Sequence, residues 1–193
     1  NYYTKDLVFD SVLDAFGGTG CVGYMYKKNG KLVFYSDSLK FNYYIGLAII
    51  ENPGVILDDK DVYFILKKQL SIQYPSFIYD TFHDIYFTNE ENEWLDVVIT
   101  NIKEIENKYK QALAYYSLFQ SCIIKRPYNL FHRKNLYIRM AEVERSFGNK
   151  KTWDTPFENH FVKFAEEANN AVFDNGKKNQ AFRSDIFDLS IPP

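Results

Sequence analysis

Residues 12–23 read V-L-D-A-F-G-G-T-G-C-V-G, and the fold turns on how that run is parsed. A short apolar run ends in Asp14 and Phe16, breaks into Gly17, Gly18 and Gly20, and resumes as the helix-compatible Cys21-Val22-Gly23-Tyr24-Met25-Tyr26. The order spelled out is strand, glycine turn, helix. Glycines suit such a turn because the backbone must take positive φ, and because a missing Cβ leaves main-chain N–H groups open to a ligand. A nucleotide-like ligand is the expectation.

Two ligands compete for this turn, with a third reading in which the glycines only turn a corner. Gly18-x-Gly20-x-x-Gly23 fits a dinucleotide fingerprint, and Asp37 lies at a suitable distance to accept from a ribose hydroxyl. The acid that ends the strand favours the other ligand, since D-x-F-x-G-x-G (Asp14, Phe16, Gly18, Gly20) puts a carboxylate where a pyrophosphate would be repelled. A carboxylate there suits the positively charged amino group of a methionine moiety. The stretch resembles the cofactor-binding motif of S-adenosylmethionine-dependent methyltransferases. Downstream, Lys31 to Ser36 (K-L-V-F-Y-S) is β-rich and ends at Asp37, after a helix that Gly30 can close. Asp37 is placed either to meet an adenosyl ribose at a parallel strand end or to cap the helix that begins near Leu39.

The 193 residues suit one domain, and 46% hydrophobic with 18% aromatic residues is enough for a core. With Tyr 16 and Phe 17, many phenolic hydroxyls must stay at the surface or find partners. A net charge of −2 points to neither nucleic acid nor membrane. The two cysteines, Cys21 and Cys122, lie far apart without a second thiol or clustered histidines, so a reduced, cytosolic, metal-free protein is expected. No run has the length of a membrane span and no signal peptide opens the chain.

Apolar spacing predicts helices over Leu39–Ile50, stopped by Asn52-Pro53-Gly54, and over Asp59–Leu70, with Val62, Ile65, Leu66 and Leu70 buried. Tyr74 to Phe87 reads as a loop with a short strand at most. Thr88-Asn-Glu-Glu91 is a capping box and opens a helix expected to reach about Tyr109, followed by an apolar helix from Gln111 to Lys125. A second box, Thr155-Pro156-Phe157-Glu158, opens a helix to about Ala171. Gln180 to Asp185 is a strand candidate that again ends in an acid, so Asp185 either accepts from an adenine amino group or caps a helix.

Between Lys125 and Lys151 stand eight Lys or Arg against Glu142 and Glu144, a local +6 that leaves −8 for the rest of the −2 chain. Aromatic and amide side chains are interleaved: Tyr128, Asn129, Phe131, His132, Asn135, Tyr137, Phe147, Asn149 and Trp153. Lys and Arg neutralise phosphates, while Asn and Arg pair with base edges in the major groove. Double-stranded DNA is the partner such a mixture suits, against the alternative of a solvated loop that offsets the acidic remainder. Arg126, Arg133, Lys134, Asn135, Arg139, Lys150 and Lys151 are the candidate contacts, and His132 could touch phosphate. His83 and His160 are expected to be packing or surface residues.

The order of parts resembles a Dam-like DNA adenine methyltransferase. The likeness rests on D-A-F-G-G-T-G (Asp14–Gly20), Y-S-D-S (Tyr35–Ser38), N-L-F-H-R-K-N-L-Y-I-R (Asn129–Arg139), K-K-T-W-D-T-P-F (Lys150–Phe157) and F-R-S-D-I-F (Phe182–Phe187). It implies an α/β fold, a Rossmann-like methyltransferase sheet with a mostly helical DNA-recognition insertion. Residues 1–58 would bind the cofactor, 59–154 would form the insertion, and 155–193 would return to the α/β part. It implies a prokaryotic, cytoplasmic restriction-modification enzyme that moves a methyl group from S-adenosylmethionine to the amino group of a flipped adenine. Asp14, Phe16, Gly18 and Gly20 would hold the methionine end and backbone of the cofactor, Asp37 its ribose, and Asp185 with Phe187 its adenine. The D-P-P-Y tetrad that binds the flipped base in this family does not occur. Lys125-Arg126-Pro127-Tyr128 is the nearest match, and Arg126 cannot accept a hydrogen bond. No residue is assigned as catalytic; a further C-terminal segment or a second polypeptide is expected to supply the tetrad. A non-catalytic DNA-binding or assembly subunit on the same scaffold is the rival.

Overall fold

A computed structural model describes residues 4, 6–126, 134–142 and 150–191. Three parallel strands, β1 (Ser11–Asp14), β2 (Leu32–Asp37) and β3 (Gln180–Arg183), make one sheet in the order β1-β2-β3. Parallel neighbours need a crossover, and α1 (Cys21–Lys28) supplies it between β1 and β2. The middle strand, L-V-F-Y-S-D, buries Val33, Tyr35 and Ser36 completely. Register sets Asp14 beside Tyr35 and Asp37 beside Arg183, so β1, β2 and β3 all end on one edge of the sheet.

The helix predicted over Leu39–Ile50 forms as α2 (Lys40–Ile45) continued by a π-helical turn, Gly46–Glu51. Lys27, itself buried, donates to the carbonyls of Ile49 (3.2 Å) and Asn52 (2.9 Å) and so closes the end of that turn. Glu51 accepts from the Ala181 N–H at 2.8 Å, satisfying a donor on strand β3.

The chain divides into two compact units, Asn1–Ile56 with Ala168–Pro193, and Leu57–Glu167. The first holds the whole sheet. The second is helical: α3 (Asp59–Leu66), α4 (Phe77–Phe82), α5 (Asn89–Lys103), α6 (Lys108–Ile124), α7 (Leu136–Met140), α8 (Lys150–Asp154) and most of α9 (Phe157–Ala171). The expected return at residue 155 therefore differs from the contact boundary at Ala168, because the first part of α9 packs within the helical unit.

Two helix boundaries depart from the periodicity for tertiary reasons and a third because of a local cap. Leu70 is fully exposed and α3 stops at Leu66, where the Asn101 amide of α5 lies 2.9–3.1 Å from the carbonyls of Phe64, Ile65 and Lys67. The Asp96 carboxylate, also on α5, accepts from the N–H groups of Ile78 and Tyr79, and this caps α4 inside a stretch that reads locally as loop. The Asn107 side chain accepts from Tyr109 and Lys110 and starts α6 afresh, so no single helix runs from Asn89 to Tyr109.

Candidate functional site

The glycine turn is built from its carboxylates outward. Asp14 Oδ2 accepts from the Gly23 N–H at 2.9 Å, which sets a carboxylate on the first turn of α1, where unpaired N–H groups and the helix dipole favour negative charge. A Cβ on Gly23 would crowd that oxygen at 3.2 Å, so glycine permits the approach. Burial raises the Asp14 carboxyl above its ordinary range and the nearby Asp37 charge adds to this, while the Gly23 N–H opposes both.

At the end of β2, Asp37 does three things at once. Its Oδ2 accepts from the Gly18 N–H (3.0 Å) and from Asn42 Nδ2 (2.9 Å), and its Oδ1 accepts from the Leu39 N–H (2.9 Å). The carboxylate thus holds the glycine turn and the start of α2 together. Gly18 (φ +51) and Gly20 (φ +76) occupy the left-handed region the turn requires, and a Cβ on Gly18 would meet nothing nearer than the Phe16 carbonyl at 3.8 Å. That face of the turn is open.

Tyr35, buried completely in β2, locks the arrangement from beneath. Its hydroxyl lies 2.7 Å from the Gly18 carbonyl and 2.9 Å from the Asn42 carbonyl, and a Cβ on either Gly17 or Gly46 would overlap its ring. Burial pushes the phenol well above its ordinary range, and Asp37 and Asp14 push the same way. Sequence reasoning missed Tyr35 and Gly46. The signal available was a glycine inside the apolar helical run Y-I-G-L-A-I-I, a position where glycine destabilises a helix unless something packs closely against it.

After β3, Asp185 is exposed, and its Oδ1 accepts from the Phe187 N–H at 3.1 Å in a local turn. Each strand end is followed by an exposed apolar side chain: Phe16 (78%) after β1, Leu39 (60%) after β2 and Phe187 (96%) after β3. The register brings Asp14, Asp37 and the segment carrying Asp185 to one sheet edge, with Asp14 and Asp37 near enough to influence one another. The turn, two carboxylates and exposed rings offer hydrogen-bond acceptors and stacking surfaces to a nucleoside carrying a cationic group.

The basic segment divides differently from expectation. Arg126, Asn135 and Arg139 are buried, which places them away from a direct DNA contact. The Arg126 guanidinium sits 4.2 Å over the Tyr86 ring, and Arg139 grips Glu91 with both terminal nitrogens at 2.7 Å. Lys134, Lys150 and Lys151 are exposed. Arg133 and His132 fall outside the described residues, as do Pro127 and Tyr128 of the rejected tetrad match. His160 Nε2 lies 2.8 Å from the Thr152 carbonyl, and His83 pairs with Asp84 at the surface. No helix among the described residues is long and apolar enough to cross a membrane.

A parallel sheet whose strand ends carry these acids around a glycine turn, followed by a helical unit, defines a mixed α/β chain of methyltransferase-like fold. Among curated proteins it is similar to the Type II methyltransferase M2.HphI of Haemophilus parahaemolyticus, 34% identical over 184 residues that cover 93% of this chain and 54% of that protein. The chain spans about half the length of that relative. The similarity supports a methyltransferase family. No family model and no solved structure matches the chain.

Proposed function

We propose that this chain is the cofactor-binding and DNA-recognition part of a DNA methyltransferase that acts on the exocyclic amino group of adenine. One observation carries the choice of cofactor: the Asp14 carboxylate already occupies the start of α1 through the Gly23 N–H. A dinucleotide needs that helix terminus for its pyrophosphate, and a second anion there would be repelled. S-adenosylmethionine, when bound, supplies an electrophilic methyl group on a sulfonium. The chain's own residues bind and orient: Asp14 faces the amino group of the methionine moiety, Phe16 and the backbone at Gly18 and Gly20 line its path, Asp37 meets the ribose, and Asp185 with Phe187 holds the adenine ring.

DNA binding is proposed through Arg133, Lys134, Lys150 and Lys151, whose charges neutralise phosphates. The catalytic tetrad is proposed to come from polypeptide beyond these residues or from a second chain, and no proton transfer is assigned to a side chain present here. The similarity to a Type II methyltransferase supports this reading, as does the order of motifs.

Titration calorimetry with S-adenosylmethionine tests it. The expected result is saturable binding, weakened about tenfold or more by Asp37→Asn, since a hydrogen bond to a charged group contributes roughly 1.5–3 kcal/mol. NAD should not compete. Absence of S-adenosylmethionine binding, or displacement by NAD, overturns the proposal. The second reading, a DNA-binding or assembly subunit without a methyl donor, is favoured by the engagement of Asp37 with Gly18, Leu39 and Asn42. Duplex binding without S-adenosylmethionine binding would select it.

A further inference from the structure

Glu91 opens α5 as the third residue of a capping box, and its carboxylate does far more than cap. Oε2 accepts from the Thr88 N–H (3.1 Å) and from Arg139 Nη1 (2.7 Å), while Oε1 accepts from Arg139 Nη2 (2.7 Å) and pairs with Lys125 Nζ (2.6 Å). These contacts fill the acceptor capacity of one carboxylate. The two cations reach onward: Arg139 Nη2 to the Trp153 carbonyl (3.3 Å) and Lys125 Nζ to the Thr155 carbonyl (2.8 Å). Lys125 and Arg139 side chains are only 3% and 6% exposed, and Glu91 16%.

One half-buried anion therefore ties together the end of α6, Arg139 on α7 and, through its two cations, the end of α8, beside the separate contacts of Arg126 with Tyr86 and of the Asn135 N–H with the Ile85 carbonyl. We propose that Glu91 is a positioning residue for DNA binding, fastening the basic segment so that Lys134, Lys150 and Lys151 are displayed together while Arg139 and Lys125 are turned inward as its clamps. This rests on the DNA reading above. Burial alone would raise the Glu91 carboxyl, but the hydrogen bonds from Arg139 and Lys125 outweigh it and hold the group below its ordinary range. Replacing it with an amide removes the charge that both cations grip and leaves Arg139 and Lys125 repelling each other with only the more distant Asp154 to offset them, which loosens the described parts of the segment.

The test is Glu91→Gln in the full chain, measured by anisotropy against a labelled mixed-sequence duplex over a range of salt concentrations, with S-adenosylmethionine calorimetry alongside. The expected result is a loss of duplex affinity of about tenfold and a salt dependence shallower by up to about three phosphates, one for each of Lys134, Lys150 and Lys151, with S-adenosylmethionine affinity unchanged. Arg139→Lys keeps the charge without the two-pronged grip and should show a smaller loss in the same direction. It decides the matter if Glu91→Gln does not fold. Wild-type duplex affinity and salt slope in these variants overturn the proposal, and so does a parallel loss of both ligands, which marks general unfolding. A wild-type chain that ignores the duplex overturns the DNA reading and this proposal together.

Discussion

Tyr35 has glycine on both sides of its ring, Gly17 from the turn and Gly46 from the π-helical segment, and neither position has room for a methyl group. Gly46→Ala should lower stability by about 1–3 kcal/mol through overpacking, read as a reduced midpoint in urea. Tyr35→Phe keeps the packing and removes only the link to the Gly18 and Asn42 carbonyls, so it should weaken S-adenosylmethionine binding more than it lowers the melting temperature. Lys27 gives a pH prediction. Burial pushes its ammonium down to about 8 from 10.5, so between those values the unfolded chain binds a proton that the folded chain does not. Lys27 therefore adds stability as pH rises through that window. In thermal melts across it, the difference between wild type and Lys27→Met should shift in favour of wild type; a difference independent of pH contradicts the assignment. The strand, glycine turn and helix carrying Asp14, Gly18 and Gly20, and the strand ending at Asp37, were legible because they follow one another without interruption. Tyr35 was not, since its partners Gly17 and Gly46 stand on opposite sides of it in the chain.

At the scale of elements, the capping box was readable, whereas the single Asn107 cap, though local, and the boundaries set by tertiary contacts were not. The box at Thr88 and Glu91 forms as its spacing predicts. The end of α3 depends instead on Asn101, whose amide meets three carbonyls of α3 and its exit while its Oδ1 accepts from Tyr74 at 2.8 Å. Such a residue has no local signature, because every partner is at least 27 positions away. Asn101→Ala should cost about 2–4 kcal/mol in urea unfolding, combining lost hydrogen bonds with a cavity in the helical unit. The missed helix α4 has the same origin in Asp96. The candidate strand Gln180 to Asp185 forms as β3 but stops at Arg183, two residues short of its acid, and the sheet it joins was not legible locally.

For the whole molecule, segregation of charge was legible and its orientation was not. Composition shows eight cations concentrated in residues 125–151, but periodicity does not say which of them fold inward onto Glu91. Charge removed from the outward group should act on DNA alone. Lys150→Ala with Lys151→Ala is expected to lower duplex affinity and flatten its salt dependence by about two phosphates, leaving the thermal midpoint within a degree or so, since exposed charges contribute little to folding. A large fall in the midpoint would mean these lysines are structural.

S-adenosylmethionine is proposed to sit at the ends of the parallel strands, beside Asp14 and Asp37. Ultraviolet cross-linking of S-adenosylmethionine labelled in its methyl group, followed by peptide mapping, tests it most directly. Label is expected on the peptides that carry Phe16 or Phe187, reduced when Asp14 is changed to asparagine. Label confined to Leu57–Glu167, or unchanged by Asp14→Asn, would contradict it.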